Sequence, residues 1–205
     1  MPETTEQLIL EKAKEVFMQK GFAGARMQEI ADAAGINKAM LHYYFRNKEK
    51  LFKVIIEEVV QTLAPKLGAA LHGDDPVTEK LEKVIRLYIA MIKENPYMPM
   101  FLMHELSQNR AEFISVMKRR VAGFPDFPAF FMQVIQEQQA GKIKPINPIH
   151  LMMNIMGMVV FPFIAKPVVV NLLDLPGAQF DAMMQDRADI VVGFMKNALR
   201  VEKRE

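Results

Sequence analysis

The side chains best suited to touch a nucleic acid are clustered in one short stretch of this 205-residue chain. A short predicted helix presents Lys38, His42 and Tyr43 on one arc, while Leu41 and Phe45 occupy the opposite, inward arc. Basic residues outnumber the single acidic residue in the segment that follows, which contains Arg46, Lys48, Glu49, Lys50 and Lys53. Cations contact phosphates, and flat side chains with polar tips contact base edges. The pattern therefore indicates a local DNA-binding surface.

Little in the rest of the sequence suits catalysis. The only serines, Ser107 and Ser115, lack the surroundings of an activated nucleophile, and no glycine-rich phosphate loop occurs. The chain has no cysteine, and its four histidines show no metal-ligand spacing. We therefore predict that the protein is not an enzyme and uses no metal or cofactor. A helical protein-interaction module and an enzyme of unknown reaction stay open as alternatives, but the basic cluster favours DNA over both.

Apolar side chains in the last three quarters of the chain predict a site for a small apolar or amphipathic effector. Methionine is frequent, with 17 residues, and flexible Met side chains beside aromatic rings suit a deformable cavity. Each Met can equally be core filling, and His104 can equally be a partly buried histidine with its hydrogen bonds satisfied. The candidate lining residues are Phe101, Met103, His104, Phe131, Met152, Met156 and Phe161.

Bulk composition indicates a cytoplasmic protein with no membrane partner. The net charge is only +2, so any basic surface is local. The absence of cysteine fits a reducing compartment, and the first residues lack an apolar signal core. The most apolar stretch, 151–173, contains Asn154, Pro162 and Pro167. Its longest unbroken apolar run, 155–165, is shorter than the roughly 20 residues that a membrane-spanning helix needs.

Three short helices must position the basic surface, because helical periodicity dominates and no strand pattern occurs. The first begins at a cap at Thr4 or Thr5 and ends at Gly21, since glycine readily adopts the conformation that terminates a helix. The second covers 27–34, and Asn37 is the predicted N-cap of the third. Two short helices separated by a glycine turn predict a helix-turn-helix.

Longer helices are predicted beyond this region. The fourth begins after Asn47 and is expected to be kinked or ended by Pro65. Two later helix starts place a capping residue before proline, at Asp75-Pro76 and at Asn147-Pro148. A single final helix is predicted from about Ala178 to Arg200.

Two domains are predicted for this all-α chain. Residues 1–50 form a three-helix helix-turn-helix DNA-binding head, and residues 51–205 form a larger helical effector-binding and dimerisation body. The final predicted helix and the apolar segment before it carry more apolar surface than one monomer covers, with residues such as Phe194 in heptad-like spacing. A two-fold four-helix interface is the predicted use, and intramolecular packing is the alternative.

Matches to a known pattern occur at fixed spacing in the first 55 residues: Gly21-Phe22, Glu29-Ile30-Ala31, Ala34-Gly35-Ile36, Leu41, Tyr43-Tyr44-Phe45 and Lys48-Glu49-Lys50-Leu51. Together they resemble the TetR/AcrR family of repressors. The resemblance implies a homodimer that places the third helix of each subunit in the major groove of DNA. The function predicted from it is a repressor of a palindromic operator that a small apolar or amphipathic effector releases, and promotion of binding by the effector stays open as the alternative. The resemblance also implies DNA contacts from Arg26, Met27, Gln28, Asn37, Lys38, Ala39, Met40, His42, Tyr43, Tyr44 and Lys48.

Overall fold

The computed structural model describes residues 4–96, 98–100, 103 and 124–201. Within these residues the chain is helical and has no strand, which confirms the predicted all-α class. The helices, numbered here in chain order, are α1 Thr5–Gly24, α2 Met27–Ala33, α3 Lys38–Tyr44, α4 Lys48–Leu71, α5 Val77–Glu94, α6 Phe127–Gln139, α7 Pro148–Leu172, α8 Gly177–Met183 and α9 Arg187–Leu199.

The described residues form two compact units. The first contains residues 4–62 with those from 95 to 103, and the second contains residues 63–94 with 124–201. Helix α4 contributes to both units, and the boundary at residue 50 stays a prediction. All the predicted DNA-contacting residues belong to the first unit.

Local capping fixes both ends of α1. The Thr4 hydroxyl accepts a hydrogen bond from the backbone N–H of Gln7 at 3.2 Å, and the Gln7 side chain accepts one from the N–H of Thr4 at 2.9 Å. This reciprocal capping box confirms the predicted start. Gly21 has a φ of 67° and breaks the helix as expected, although one further turn follows it to Gly24.

Prolines lie inside two helices rather than ending them. Helix α4 continues through Pro65 to Leu71, so of the two expected effects of Pro65 the end of the helix is wrong and the kink stays a prediction. Leu63 and Leu67, on either side of this proline, are both buried. Their burial holds α4 across a position that weakens an isolated helix by about 3 kcal/mol.

Helix α7 is continuous over 25 residues and contains Pro162 and Pro167 in its interior. By length and composition alone it could cross a membrane, which is weak evidence for a single helix. Its Leu151, Ile155 and Val159 are buried, and the helix packs against α5 and α9. Only 17% of its most apolar window is buried, however, which leaves a large apolar face uncovered in the single chain.

The start of α5 is capped from a distant helix. A capping role was predicted for Asp75, but its carboxylate instead pairs with Lys83 at 2.5 Å. The N–H of Val77, the first residue of α5, donates to the carboxylate of Glu137 on α6 at 3.0 Å. A negative group at a helix N-terminus serves equally well when it comes from another helix. The local pattern therefore predicted a helix start here but the wrong cap.

The last helical segment was predicted as one helix, and this was wrong. Helix α8 ends at Met183 and α9 begins at Arg187. At the break, the backbone carbonyl of Gln185 accepts a hydrogen bond from the Lys93 ammonium of α5 at 3.0 Å. An apolar stripe shows which residues face inward, but such a bond between helices cannot be read from it.

Arg187 also supplies a hydrogen-bond donor that α7 lacks. Pro162 has no N–H, so the carbonyl of Met158, four residues earlier, has no donor within its own helix. The Arg187 guanidinium donates two hydrogen bonds to that oxygen, at 3.1 Å from Nε and 2.8 Å from Nη2. A buried carbonyl without a donor costs about 1–3 kcal/mol, so this pair stabilises the contact between α7 and α9.

We expect Arg187→Leu to lower the free energy of unfolding by about 1–3 kcal/mol, because it leaves the Met158 carbonyl without a donor. The same substitution should have a smaller effect in a Pro162→Ala background, where the new N–H of residue 162 can bond to that carbonyl. Denaturant unfolding of the unaltered protein, the two single variants and the double variant forms a double-mutant cycle, which measures the coupling between residues 162 and 187. Arg86→Leu is the control, because Arg86 makes only exposed ion pairs and should cost about 0–1 kcal/mol. Equal costs of Arg187→Leu in both backgrounds would contradict the assignment.

Candidate nucleic-acid interface

The turn between α2 and α3 is closed by Gly35. This residue has a φ of 65°, a conformation that suits glycine. The N–H of Ile36 donates to the carbonyl of Ala31 at 3.0 Å, and the N–H of Gly35 donates to that of Asp32 at 3.1 Å. This is the Schellman pattern of helix termination. The predicted helix, glycine turn and helix are confirmed.

Side-chain packing then fixes the two short helices against each other. Ile30, Ala31 and Leu41 are fully buried, and Phe45 is buried at the end of α3. The small side chain of Ala31 allows the two backbones to approach closely. Because Leu41 and Phe45 point inward, the opposite arc of α3 must face away from the core.

That outward arc carries most of the predicted DNA contacts. Lys38, Ala39, Met40, His42, Tyr43 and Tyr44 are all exposed. Tyr43 is 84% exposed, the most of any large apolar or aromatic residue described. The Tyr43 and Tyr44 rings lie edge to face, with centroids 5.5 Å apart. An aromatic side chain so open to water is suited to contact a partner surface.

Asn37, which precedes α3, and His42 within α3 each make a hydrogen bond inside the protein. The Asn37 side-chain oxygen accepts from the N–H of Met40 at 2.8 Å, which confirms the predicted cap. Nδ1 of His42 lies 3.0 Å from the carbonyl oxygen of Arg46. Since a carbonyl only accepts, Nδ1 carries the proton, and Nε2 is the imidazole atom left for a base or a phosphate.

The start of α2 is polar and exposed at Arg26 and Gln28, with Met27 half-buried. The Gln28 amide donates to Asp32 at 2.8 Å, so one of its hydrogen-bonding groups is occupied. Glu29 bonds to the Lys20 ammonium at 2.8 Å and to the N–H of Arg26 at 3.2 Å. The hydrogen bond from Lys20 is the main cause that lowers the pKa of the Glu29 carboxyl. These bonds fix the entry to α2.

Lys48 is held by the protein itself. Its ammonium donates to the carbonyls of Phe22 at 2.7 Å and Ala25 at 3.1 Å, and lies 4.5 Å from the centre of the Phe22 ring. These carbonyls belong to the segment where α1 ends and α2 begins. Two of the three ammonium protons are therefore occupied, and the side chain ties the start of α4 to this segment. Only one N–H of the Lys48 ammonium is left to donate to a phosphate, and the predicted phosphate contact of Lys48 stays a prediction.

An aromatic cluster lies beneath this lysine. Phe17 and Phe52 are fully buried with ring centroids 4.5 Å apart, and Phe22 lies 4.9 Å from Phe52. Edge and tilted contacts of this kind add about 0.5–1.5 kcal/mol per pair to area burial. The cluster joins α1 and α4 and so supports the helices that carry the exposed arc.

A separate apolar cleft of about 180 Å³ lies within the second unit. It is lined by Leu67, Leu71, Leu81, Val84, Tyr88, Pro125, Phe127, Phe130, Met152, Ile155 and Met156. Sequence reasoning named Met152 and Met156 as lining residues. It did not select the α5 residues, although Leu81, Val84 and Tyr88 follow helical spacing and could have signalled this face.

The other predicted effector residues lie elsewhere. Phe131 does not line the cleft, but its ring lies 6.2 Å from that of Phe130, which does. Phe161 is 66% exposed on α7, and Met103 is exposed in the first unit. Phe101 and His104 lie outside the described residues.

Comparison with known proteins identifies the DNA-binding region. Residues 9–55 match the family model of bacterial regulatory proteins of the tetR family. The transcriptional regulator RutR of Escherichia coli K12 is 28% identical over 161 residues, covering 73% of this chain and 69% of RutR. Residues 9–55 therefore carry the N-terminal DNA-binding domain of the tetR family. The protein is a DNA-binding transcription regulator, and the proteins that it matches are regulators rather than enzymes.

Two further likenesses accompany this assignment. The transcriptional repressor BdcR of Escherichia coli K12 is 39% identical to this chain over 74 residues, covering 36% of this chain and 38% of BdcR. The solved structure of AibR in complex with isovaleryl coenzyme A and operator DNA superposes with a TM-score of 0.67 at 22% identity. It covers 93% of this chain and 97% of AibR, so the fold extends over both units.

We expect Lys48→Met to lower the free energy of unfolding of this protein by about 1.5–3 kcal/mol, because two charge-assisted hydrogen bonds are lost. For a chain of this size this corresponds to a fall in Tm of several degrees. Lys50→Met is the control, since Lys50 is exposed two residues away and should change Tm little. A Lys48→Met variant that loses DNA affinity at unchanged Tm would instead assign Lys48 to phosphate alone.

Proposed function

We propose that this regulator is a repressor that occupies a palindromic operator as a homodimer and is released by a small amphipathic effector. The observation that carries the DNA-binding part is the exposed arc of α3, which places Lys38, His42 and Tyr43 together on a rigidly packed helix. A helix of this kind enters the major groove, where cations and polar tips contact base edges and phosphates.

Each predicted contact residue has a proposed role. Lys38, His42, Ala39 and Met40 are proposed to meet base edges, and Tyr43 and Tyr44 to meet the sugar-phosphate backbone. Arg26, Met27 and Gln28 at the start of α2 are proposed to add contacts to the DNA backbone. Asn37 and Lys48 act first as the helix cap and the inter-helix tie described above. Their contribution to DNA binding is therefore mainly to hold α3 in position.

Repression is supported by a relative that is named a repressor, and effector binding is supported by a structural neighbour and by the cleft. BdcR is named a repressor, and AibR was solved with both an acyl coenzyme A and operator DNA. In this chain α4 begins at Lys48 and contributes Leu67 and Leu71 to the apolar cleft. One helix therefore reaches from the DNA-binding head to the proposed effector site. An effector that binds one arrangement of α4 better than another shifts DNA affinity by its difference in binding energy.

Uncovered apolar side chains on α7 and α9 support a homodimer. Phe161, Val168 and Leu172 on α7 and Ile190 and Phe194 on α9 are each more than half exposed. Large apolar side chains exposed together on two helices that pack against each other favour a partner surface, and two such helices from each subunit can form a four-helix interface. A two-fold dimer also matches a palindromic operator. Because a second copy would cover this face, we propose a soluble cytoplasmic dimer rather than a membrane partner for α7.

Selection of bound sites from random duplexes tests the DNA-binding proposal. We expect a palindrome, with affinity that falls steeply between about 50 and 200 mM salt. Lys38→Ala should change the preferred base at symmetric positions, at a cost of about 1–3 kcal/mol per contact, because it removes a base-edge contact. Tyr43→Ala should weaken all sequences alike, and Lys83→Ala, in the second unit, should change neither property. Unaltered base preference in Lys38→Ala would contradict the placement of α3.

Sedimentation tests the dimer. Phe194→Glu should convert the dimer to monomer at micromolar concentration, because it forces an unpaired carboxylate into a desolvated interface. Gln136→Glu is the control, at a polar exposed position on α6 outside the proposed interface, and should remain dimeric. A monomeric unaltered protein, or a dimer that tolerates Phe194→Glu, would exclude this interface.

A further inference from the structure

We infer that the effector is an amphipathic carboxylate, whose charged group binds at Lys80 and whose apolar body fills the cleft between α4, α5, α6 and α7. The inference rests on the proposed effector function and specifies the chemistry of that site. It is carried by a buried cation at the floor of a polar cleft that adjoins the apolar one.

Lys80 is a buried cation whose two hydrogen-bond acceptors among the described residues are both neutral. The residue is 2% exposed, and its Nζ donates to the backbone carbonyl of Gly73 at 2.6 Å and to the side-chain oxygen of Gln133. None of the ion pairs between described residues includes Lys80. An ammonium has three protons, so one remains for a further acceptor. A buried charge without a direct counter-ion favours an anion that can reach it.

The nearby carboxylates have other partners. Glu137 accepts hydrogen bonds from the N–H of Val77 and from the Gln133 amide, both at 3.0 Å. Asp75 is paired with Lys83, whose hydrogen bond is the main cause that lowers the pKa of the Asp75 carboxyl. The charge of Lys80 is the smallest of the causes that lower this pKa, and Asp75 makes no direct bond to Lys80. Gln133 thus separates Lys80 from Glu137, with its oxygen toward the cation and its amide toward the carboxylate.

A wider cleft of about 740 Å³ gives access to this cation and is called the polar cleft here, although polar and apolar side chains both line it. Lys80 and Gln133 line it, and so do Leu71 and Phe130, which also line the apolar cleft. The two clefts therefore adjoin at these shared side chains. A ligand with a polar end and an apolar end matches such a pair of compartments, since each end meets a surface of its own kind.

Helix α5 sets the length and direction of the proposed site. Lys80 lines the polar cleft, and Leu81, Val84 and Tyr88 line the apolar one. At a rise of about 1.5 Å per residue, Lys80 and Tyr88 are about 12 Å apart along the helix. A chain of several carbons lying along α5 spans this distance, with its carboxylate at the Lys80 end.

Acidic residues also line the polar cleft, but at its exposed rim. Asp74 and Asp126 are both exposed, and the Asp126 carboxylate caps α6 by accepting from the N–H of Ala129 at 3.0 Å. Solvent screens exposed charges, whereas the interaction with Lys80 is formed in a less polar environment. The buried cation should therefore decide which headgroup is retained.

The first experiment uses the unaltered dimer and needs no variant. Isothermal titration compares octanoate, octanol and octylamine, which share one apolar chain and differ in headgroup charge. We expect octanoate to bind roughly ten- to a hundredfold more tightly than octanol, as one charge-assisted hydrogen bond predicts. Butanoate should bind more weakly than octanoate, because it leaves the apolar cleft unfilled. Equal affinity for octanol, or tighter binding of octylamine, would overturn the inference.

Variants then locate the headgroup. Lys80→Met should remove the preference for octanoate over octanol, while Lys83→Met, three residues along the same helix at an exposed ion pair, should keep it. Retention of the preference in a folded Lys80→Met protein would also overturn the inference. If Lys80→Met does not fold, Met156→Trp replaces it. A tryptophan that fills the apolar cleft should weaken the binding of octanoate and leave the binding of butanoate unchanged. Equal weakening of both would count against the site.

Operator titration with each probe separates this inference from the proposed switch. Octanoate that binds with the expected selectivity but leaves DNA affinity unchanged supports the carboxylate site and refutes effector release by it. Octanol that releases DNA as well as octanoate, at equal affinity, supports an apolar effector and refutes the carboxylate site.

Discussion

Backbone carbonyls that lack a helical N–H partner constrain this fold, and basic side chains satisfy several of them. Pro162 leaves the Met158 carbonyl without a donor inside α7, and Arg187 supplies two hydrogen bonds to it. Lys48 bonds to the carbonyls of Phe22 and Ala25 where α1 gives way to α2. Such oxygens are costly to bury without a donor, so each of these cations fixes one helix relative to another. The all-helical packing depends on these ties as well as on apolar burial.

Because some cations are bonded to backbone carbonyls, fewer basic residues are available to contact DNA. The sequence alone does not show which lysines of the basic cluster are free to contact a phosphate. In the structure, Lys48 already donates to two backbone oxygens. Lys38 and Arg46 are exposed and form no ion pair with any described residue. The aromatic side chain of Tyr43 adds area that only a partner can cover. We therefore propose that the exposed arc of α3 recognises DNA, while Lys48 holds the start of α4 against the segment between α1 and α2.

The apolar composition divides among three uses in the second unit. Buried residues such as Ile85, Ile155 and Val191 join α5, α7 and α9 into a core. A second set lines the cleft, where Met152 and Met156 meet the aromatic residues of α6. A third set, on α7 and α9, remains in water in the single chain. These uses cannot be separated by hydropathy, because all three require the same residue types at helical spacing.

The sequence by itself determined the helix-turn-helix, because its signals are local. The Thr4 cap, the glycine turn at position 35 and the Asn37 cap each act within a few residues, and the structure confirms all three. Tertiary structure alone decided that Glu137 caps α5, that Lys48 is held by backbone carbonyls and that the last helix is broken. In each case the partner is distant in the chain, so that no spacing rule records it. The lysine at the floor of the polar cleft belongs with these, since the sequence shows its charge and only packing shows that the charge is buried.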